Sequence, residues 1–148
     1  FPWEGEEFYY SLRINGAEAL RASLKTGRLR ESGDRRYVPL ALRVRSVGWF
    51  DEMYPVDDRG DTYLDPTTFR PYYSEKRFDE GGEVITYRVD FRRGEYRARV
   101  AKRRPNKLHE FTMPLPAATH DMMTWLYDFR RHRLERGDSF QYYVYDGW

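Results

Sequence analysis

Most of the chain alternates between apolar and polar positions, which is the period of a half-buried β-strand. Asn15-Gly16 follows the first such segment, 7–14, and tolerates the positive φ of a type I′ turn. Alternation then resumes over residues 20–25. The pattern predicts that the chain begins with a β-hairpin. In its first arm one face carries Phe8, Tyr10, Leu12 and Ile14, and the other carries Tyr9, Ser11 and Arg13.

Further strands are predicted through the middle of the chain. Strand patterns recur at 38–45, 62–64, 69–78, 84–92 and 95–102, with turns at the glycines of 80–82 and 93–94. Asp65-Pro66 ends one of these strands, because Pro66 presets φ for a turn and the Asp65 carboxylate accepts N–H groups two or three residues further on. The segment 48–58 is irregular and fits either a short helical turn or a bent strand. Together these elements predict an antiparallel meander.

One segment, from residue 120 to about 131, has the periodicity of a helix instead. Its apolar stripe recurs at i, i+3, i+4 and i+7, the spacing of one helix face. Thr119 or Asp121 is a candidate N-cap. The pattern predicts an amphipathic helix whose stripe is buried against the sheet. The stripe consists of Met122, Trp125, Leu126 and Phe129.

These elements predict a single, mainly β domain over residues 1–148: an antiparallel curved sheet or incomplete barrel with one helix against its open end or concave face. The chain returns to a strand pattern at 139–145, and Asp146-Gly147 then resembles a hairpin turn without its second arm. We therefore expect further C-terminal strands beyond Trp148. We also expect the strand 139–145 to present an unpaired edge that another chain or segment covers.

Composition agrees with a globular β domain and sets limits on function. Aromatic residues make up 18% of the 148 residues, which favours pleated sheet. The net charge is only +2, whereas a typical nucleic-acid-binding protein has a strongly one-signed surface. The chain has no cysteine and no run of about 18 apolar residues, so disulfides and a membrane-spanning helix are excluded.

The sequence offers no motif for catalysis, a cofactor or a metal ion. The three histidines, His109, His120 and His132, lack the spacing of metal ligands. No serine lies in a G-x-S-x-G turn, and the glycines form no phosphate-binding loop. Carboxylates are dense at 57–65, where they are read as turn residues in preference to a cation site. We therefore predict neither catalytic nor cofactor-binding residues.

The most uneven charge distribution lies at residues 88–107. This segment contains nine lysines and arginines but only two carboxylates, those of Asp90 and Glu95. Arginines interleaved with aromatic residues suit an anionic or acidic partner, although a solvated face balanced by acidic neighbours elsewhere remains the alternative. The candidate partner-binding residues are Arg88, Arg92, Arg97, Arg99, Arg103 and Arg104, together with Tyr87 and Tyr96.

Short motifs along the whole chain resemble the bacterial family catalogued as domain of unknown function 3108. The resemblance implies a β domain exported to the bacterial envelope or periplasm, with its signal peptide removed, further C-terminal strands and no established activity. It supplies no catalytic residues. The motifs are Trp3-Glu4-Gly5-Glu6-Glu7-Phe8-Tyr9-Tyr10, Val56-Asp57, Tyr63-Leu64-Asp65-Pro66-Thr67-Thr68-Phe69, Pro71-Tyr72, His120-Asp121, Leu126-Tyr127, Arg130 and Gly137-Asp138.

Two classes of function fit these observations. The first is a non-catalytic envelope module that binds or assembles with another protein, or contacts an anionic envelope component such as a lipid or glycan. The second is a carrier or sensor of a hydrophobic or amphiphilic ligand held between sheet and helix. Nucleic acid is a less favoured partner, and no enzyme is predicted.

Overall fold

Antiparallel strands form one open sheet. The computed structural model describes residues 1–95 and 97–145. The sheet runs in the order β1-β2-β4-β5-β6-β7-β8-β9, with β3 paired to β4 beside this path. It is not closed into a barrel, and the predicted mainly β, antiparallel architecture is confirmed. The strands are β1 (Glu7–Ile14), β2 (Ala17–Thr26), β3 (Arg30–Ser32), β4 (Arg35–Ser46), β5 (Asp57–Leu64), β6 (Pro71–Glu80), β7 (Glu83–Arg92), β8 (Arg97–Arg104) and β9 (Lys107–Pro114).

The predicted turns are present where the sequence places them. Asn15 and Gly16 both have positive φ, at 50° and 82°, and join β1 to β2. At the end of β5, Asp65 Oδ1 accepts hydrogen bonds from the N–H groups of Thr67 and Thr68, at 2.9 and 3.3 Å. Asp65-Pro66 thus forms the predicted turn. The irregular segment contains a single helical turn, α1 (Trp49–Met53).

The alternation of side chains gives the sheet two different faces. On the inner face one row across the strands is Thr26, Leu40, Thr62, Ser74, Val89 and Val100. On the outer face the neighbouring row is Lys25, Ala41, Asp61, Glu75, Arg88 and Ala101. The inner row is buried throughout, whereas the outer face carries charged residues on every long strand.

The inner face holds two apolar clusters. The larger cluster includes two residues from the second helix, α2 (Thr124–Arg130), and its N-terminal flank, so α2 covers this part of the sheet. The smaller lies near the other edge, on β7 and β8. The buried members of the first are Leu24, Val38, Leu40, Leu64, Phe69, Met123 and Tyr127. Those of the second are Val89, Phe91, Ala98 and Val100.

The predicted buried stripe of the helix is wrong. Met122 and Trp125 are 37% and 36% exposed, and Leu126 and Phe129 are only partly buried. The face turned to the sheet consists instead of Met123, Thr124, Tyr127 and Asp128. The helix also begins later than expected, because residues 119–120 form a short strand, β10 (Thr119–His120).

Two polar contacts set this orientation of α2. Asp121 is fully buried, and its Oδ1 accepts hydrogen bonds from the N–H groups of Met123 and Thr124 at 3.2 and 2.8 Å. Its other oxygen accepts from the hydroxyl of Thr62 on β5. Six residues after Asp121, the Tyr127 hydroxyl lies 2.6 Å from Thr26 Oγ1 on β2. Polar anchors therefore outweigh the apolar stripe in deciding which side of the helix is buried.

The expected C-terminal strand is mostly absent. Of residues 139–145, only β11 (Tyr143–Val144) is a strand, and it pairs in parallel with β10. The expectation of a long edge there is wrong, because only these two residues form a strand and both pair with β10. Asp146-Gly147 and Trp148 lie outside the described residues.

Candidate functional site

The outer face of the sheet carries the predicted arginines side by side on β7 and β8. Alternation places Arg88 and Arg92 of β7, and Arg97, Arg99 and Arg103 of β8, on this same face. All five are exposed. The outer face at β7 and β8 is therefore the part of the structure that assembles most of the predicted partner-binding residues.

Acidic neighbours on adjacent strands balance part of this charge. Arg88 donates two hydrogen bonds to the carboxylate of Glu75 on β6, at 3.0 and 3.2 Å. The Tyr73 hydroxyl donates to the same carboxylate at 2.8 Å. Burial raises the pKa of Glu75, but the hydrogen bonds from Arg88 and Tyr73 outweigh it, so the net pKa is lowered. Arg88 therefore belongs to a satisfied network, as the alternative reading expected.

The remaining arginines on this face are less completely paired. Arg92 lies 3.5 Å from carboxylate oxygens of both Asp90 and Glu95. Arg99 lies 4.0 Å from the carboxylate of Glu110 on β9, which is the limit of an ion pair. Within residues 1–95 and 97–145, no carboxylate forms an ion pair with Arg97 or Arg103. Positive charge is thus concentrated on β8.

A cleft of ≈ 370 Å³ lies at the centre of these groups. Three predicted residues, Arg92, Arg97 and Arg99, surround it with two glutamates. Because cations and carboxylates line the same cleft, it suits a surface of mixed charge better than a bare polyanion. Its lining is Arg92, Glu95, Arg97, Arg99, Glu110, Phe111 and Thr112.

Three predicted residues do not join this surface. Tyr87 is only 2% exposed on the inner face, where the Lys102 ammonium lies 4.9 Å from its ring centre, so its assignment as a partner contact is corrected. Arg104 shares the inner side with Lys102 at the end of the hairpin and lies 3.7 Å from Glu83. Tyr96 lies outside the described residues.

A buried carboxylate on α2, that of Asp128, lies among an arginine and two histidines. The Asp128 carboxylate accepts a 2.7 Å hydrogen bond from Arg131 and lies 4.0 Å from His120 and 3.7 Å from His132. Burial lowers the pKa of His120, although the charge of Asp128 opposes this. These groups tie α2 to the inner side of the domain, away from the cleft.

Two larger clefts were not predicted from the sequence. One, of ≈ 700 Å³, joins Arg35 and Tyr72 to the Asp65 turn and the end of β7. Another, of ≈ 640 Å³, brings Arg21, Arg43, Arg45 and Arg59 together on the outer face of β2, β4 and β5. Their residues come from strands distant in sequence, so no local pattern marks them. The only signal in the sequence was the charge on neighbouring strands, with arginines at alternate positions of β4 and aspartates on β5.

Within the described residues no helix is long and apolar enough to cross a lipid bilayer. No curated protein and no solved structure matches the chain. A family model described as "Protein of unknown function (DUF3108)" matches residues 9–147. This range contains β1 from Tyr9 onward and every later strand. The sequence resemblance is thereby confirmed, and the chain belongs to the DUF3108 family.

Proposed function

We propose that this protein is a non-catalytic module of the bacterial envelope that binds another protein through the outer face of β7, β8 and β9. The observation that carries the proposal is the cleft in which Arg92, Arg97 and Arg99 stand beside Glu95 and Glu110. Such mixed charge complements a protein surface that carries both signs, whereas the two glutamates weaken the attraction of the arginines for a lipid headgroup layer, an acidic glycan or a nucleic acid. Location in the envelope is part of the proposal and rests on the family resemblance.

The contrast between the two faces supports an interaction role for the outer one. The inner face is closed by α2 and the terminal segments, and its central residues are buried. None of the described elements lies over Arg97, Arg99 and Arg103, which remain exposed. Exposed rim charges act mainly on the rate of association and on its salt dependence.

The alternative function, a carrier of an amphiphilic ligand, requires space between sheet and helix. Tyr127, Met123 and Leu40 occupy that position and are at most 2% exposed. Their packing fills the space with the protein's own side chains. The carrier interpretation stays a prediction that this packing does not favour.

A capture experiment with charge-reversed variants tests the proposal. The immobilised protein is incubated with envelope extract, and the retained proteins are compared between the unaltered chain and the double variant Arg97→Glu, Arg99→Glu. The matched control reverses Arg30 and Arg36, which are also exposed and lie on the β3–β4 hairpin. We expect the Arg97/Arg99 variant to lose a specific protein that the control retains, and raising NaCl from about 0.05 to about 0.5 M to weaken its capture.

Two outcomes would contradict the proposal. One is capture that is equal for all three proteins and indifferent to salt. The other is binding of the unaltered chain, but not of the Arg97/Arg99 variant, to phosphatidylglycerol vesicles in place of any protein. Co-purified lipid in native mass spectra would support the carrier instead.

A further inference from the structure

The outward edge of β1 is an exposed surface separate from the cleft at β7–β9, and no described strand pairs with it. β1 is the first strand of the sheet, and within the described part of the chain only β2 pairs with it. An edge strand of this kind presents a row of N–H and C=O groups to which another strand can bond. Tyr10 and Leu12 on its inner side are 51% and 52% exposed, and Tyr9 is exposed on its outer side.

The hydrogen-bond pattern shows which residues point their backbone groups outward. The Glu6 carbonyl accepts from the N–H of Thr26 at 2.9 Å, on the β2 side. Because backbone direction alternates along a strand, the even-numbered residues that follow bond to β2 and the odd-numbered ones face away. The register shift near Leu12 leaves Ala19 of β2 without a partner in β1, so the extra residue lies in β2 and β1 keeps its alternation. The outward groups belong to Glu7, Tyr9, Ser11 and Arg13.

The sequence of β1 is complementary to itself in the antiparallel direction. With a two-fold axis at Tyr10, Glu7 lies opposite Arg13 of a second copy, and Tyr9 lies opposite Ser11. All four are the residues with outward backbone groups, so these are the hydrogen-bonded pairs that an antiparallel ladder requires. Phe8 then lies opposite Leu12 of the second copy on the inner side. The inner faces of the two sheets therefore lie on the same side of the combined sheet.

The charges of the monomer agree with this register. Arg13 forms no ion pair with any residue in the described part of the chain, although Glu18 stands opposite it in β2. Glu7 binds Lys25 at 2.9 Å and remains near the surface. A Glu7 carboxylate from a second copy would give Arg13 a partner, and symmetry makes each such pair occur twice.

We propose that two copies of this chain associate through antiparallel pairing of their β1 strands, with the two-fold axis at Tyr10, to form one continuous sheet. The pairing adds about eight backbone hydrogen bonds and covers the exposed side chains of Tyr10 and Leu12. It leaves the outer-face cleft of β7–β9 at the far edge of each sheet. The dimer is therefore independent of the partner proposed for that cleft.

The absence of cysteine makes a single-cysteine experiment decisive. Residues on the axis of such a pair have Cα atoms about 4.5 Å apart, within the range of a disulfide. Tyr10→Cys is therefore expected to give a covalent dimer on mild oxidation. Leu12→Cys is the matched control, since it has the same exposure on the same strand. Its two copies would lie about 13 Å apart, beyond disulfide reach.

A charge variant on the cysteine-free chain gives a second measurement. Arg13→Glu places two carboxylates opposite each other twice per dimer, and we expect the dimerisation constant from analytical ultracentrifugation to fall about tenfold. Arg133→Glu makes the same charge change at an exposed site after α2 and is expected to leave it unchanged. Thermal melts of the reduced variants confirm that each is folded.

Three results would overturn the proposal. They are cross-linking of Leu12→Cys as fast as Tyr10→Cys, the absence of any covalent dimer from Tyr10→Cys, and a dimerisation constant that Arg13→Glu leaves unchanged. A chain that sediments only as a monomer at about 0.1 mM would likewise overturn it, since edge pairing of this extent is expected to be populated there.

Discussion

The guanidinium of Arg130 donates two hydrogen bonds to the carboxylate of Glu6, at 2.6 and 2.8 Å. The two residues are separated by almost the entire chain, and their contact fastens α2 to the segment that leads into β1. The same guanidinium stacks on the ring of Trp3 at 4.7 Å and on that of Phe8 at 5.0 Å. One side chain thus joins the helix to the N-terminal segment by charge and by cation–π contact.

Replacing Arg130 is expected to weaken the attachment of α2. Arg130→Met keeps an apolar stem but leaves the half-buried Glu6 carboxylate without its partner, and we expect the free energy of unfolding to fall by about 1–3 kcal/mol. Urea titration measures this loss. Arg133→Met changes an exposed arginine three residues later and should have little effect, so equal losses from the two variants would contradict the assigned role.

The buried side of α2 predicts an order of stability losses. Tyr127 is fully buried, so Tyr127→Ala is expected to cost about 3–5 kcal/mol, whereas Trp125→Ala removes a ring that is 36% exposed and should cost clearly less. Tyr127→Phe removes only the hydrogen bond to Thr26, at about 1–2 kcal/mol. Thermal and chemical denaturation rank the three. A greater loss of stability for Trp125→Ala than for Tyr127→Ala would contradict this assignment and support the buried stripe predicted from the sequence.

Asp121 is expected to contribute strongly to the stability of the fold, because three hydrogen-bond donors depend on its carboxylate. Asp121→Ala leaves the N–H groups of Met123 and Thr124 and the hydroxyl of Thr62 without their acceptor, at a cost of about 2–4 kcal/mol. Asp121→Asn retains one acceptor oxygen and should cost less. Hydrogen exchange at the amide of Thr124 should accelerate in both variants. Unchanged exchange would show that the Asp121 carboxylate does not hold the start of α2.

Asp58 gives the stability a predicted dependence on pH. Burial raises the pKa of Asp58 to about 6, the N–H of Asp79 opposes this, and the nearby Glu80 carboxylate adds to the increase. Between the ordinary aspartate pKa and about 6, the folded state therefore binds more protons than the unfolded state. The free energy of unfolding should fall as pH rises through this window and level off above it.

The variant Asp58→Asn provides the control for this dependence. It cannot ionise, so this contribution to the decrease between about pH 4 and 6 should be absent, while contributions from other groups remain. Denaturation midpoints across the pH series measure the difference. The same slope in both proteins would show that Asp58 does not titrate in the manner stated.

Local patterns were sufficient for the tight turns and for most of the strands, although no strand was predicted where β3 and β9 lie. Asn15-Gly16 and Asp65-Pro66 act through their own φ preferences and nearby N–H groups, so their turns form as predicted. The alternation of apolar and polar residues likewise shows which side of each strand is buried, and this pattern can be read from a single sequence. The helix was harder, since Met122 and Trp125 follow the right spacing and yet lie on the exposed side.

The candidate site was predicted in part. The cluster of arginines at 88–103 was visible in the sequence, and strand alternation placed five of them on one face. The carboxylate partners of Arg88 and Arg99 were not visible, because Glu75 and Glu110 come from other strands of the sheet. Tyr87 was misassigned for a related reason: Arg88 follows it in the sequence, but the side chain of Tyr87 lies on the buried side of the strand.

The sequence by itself determined the class of fold, most of the antiparallel strands and the turns at Asn15-Gly16 and Asp65-Pro66, since these depend on interactions between residues close along the chain. Only the tertiary structure decided which side of α2 is buried, which arginines keep uncompensated charge and which strands form the edges. Those features depend on contacts such as Glu6–Arg130 and Thr62–Asp121, whose partners lie far apart in sequence. No local period encodes such contacts, because their energy exists only once the sheet has brought the two residues together.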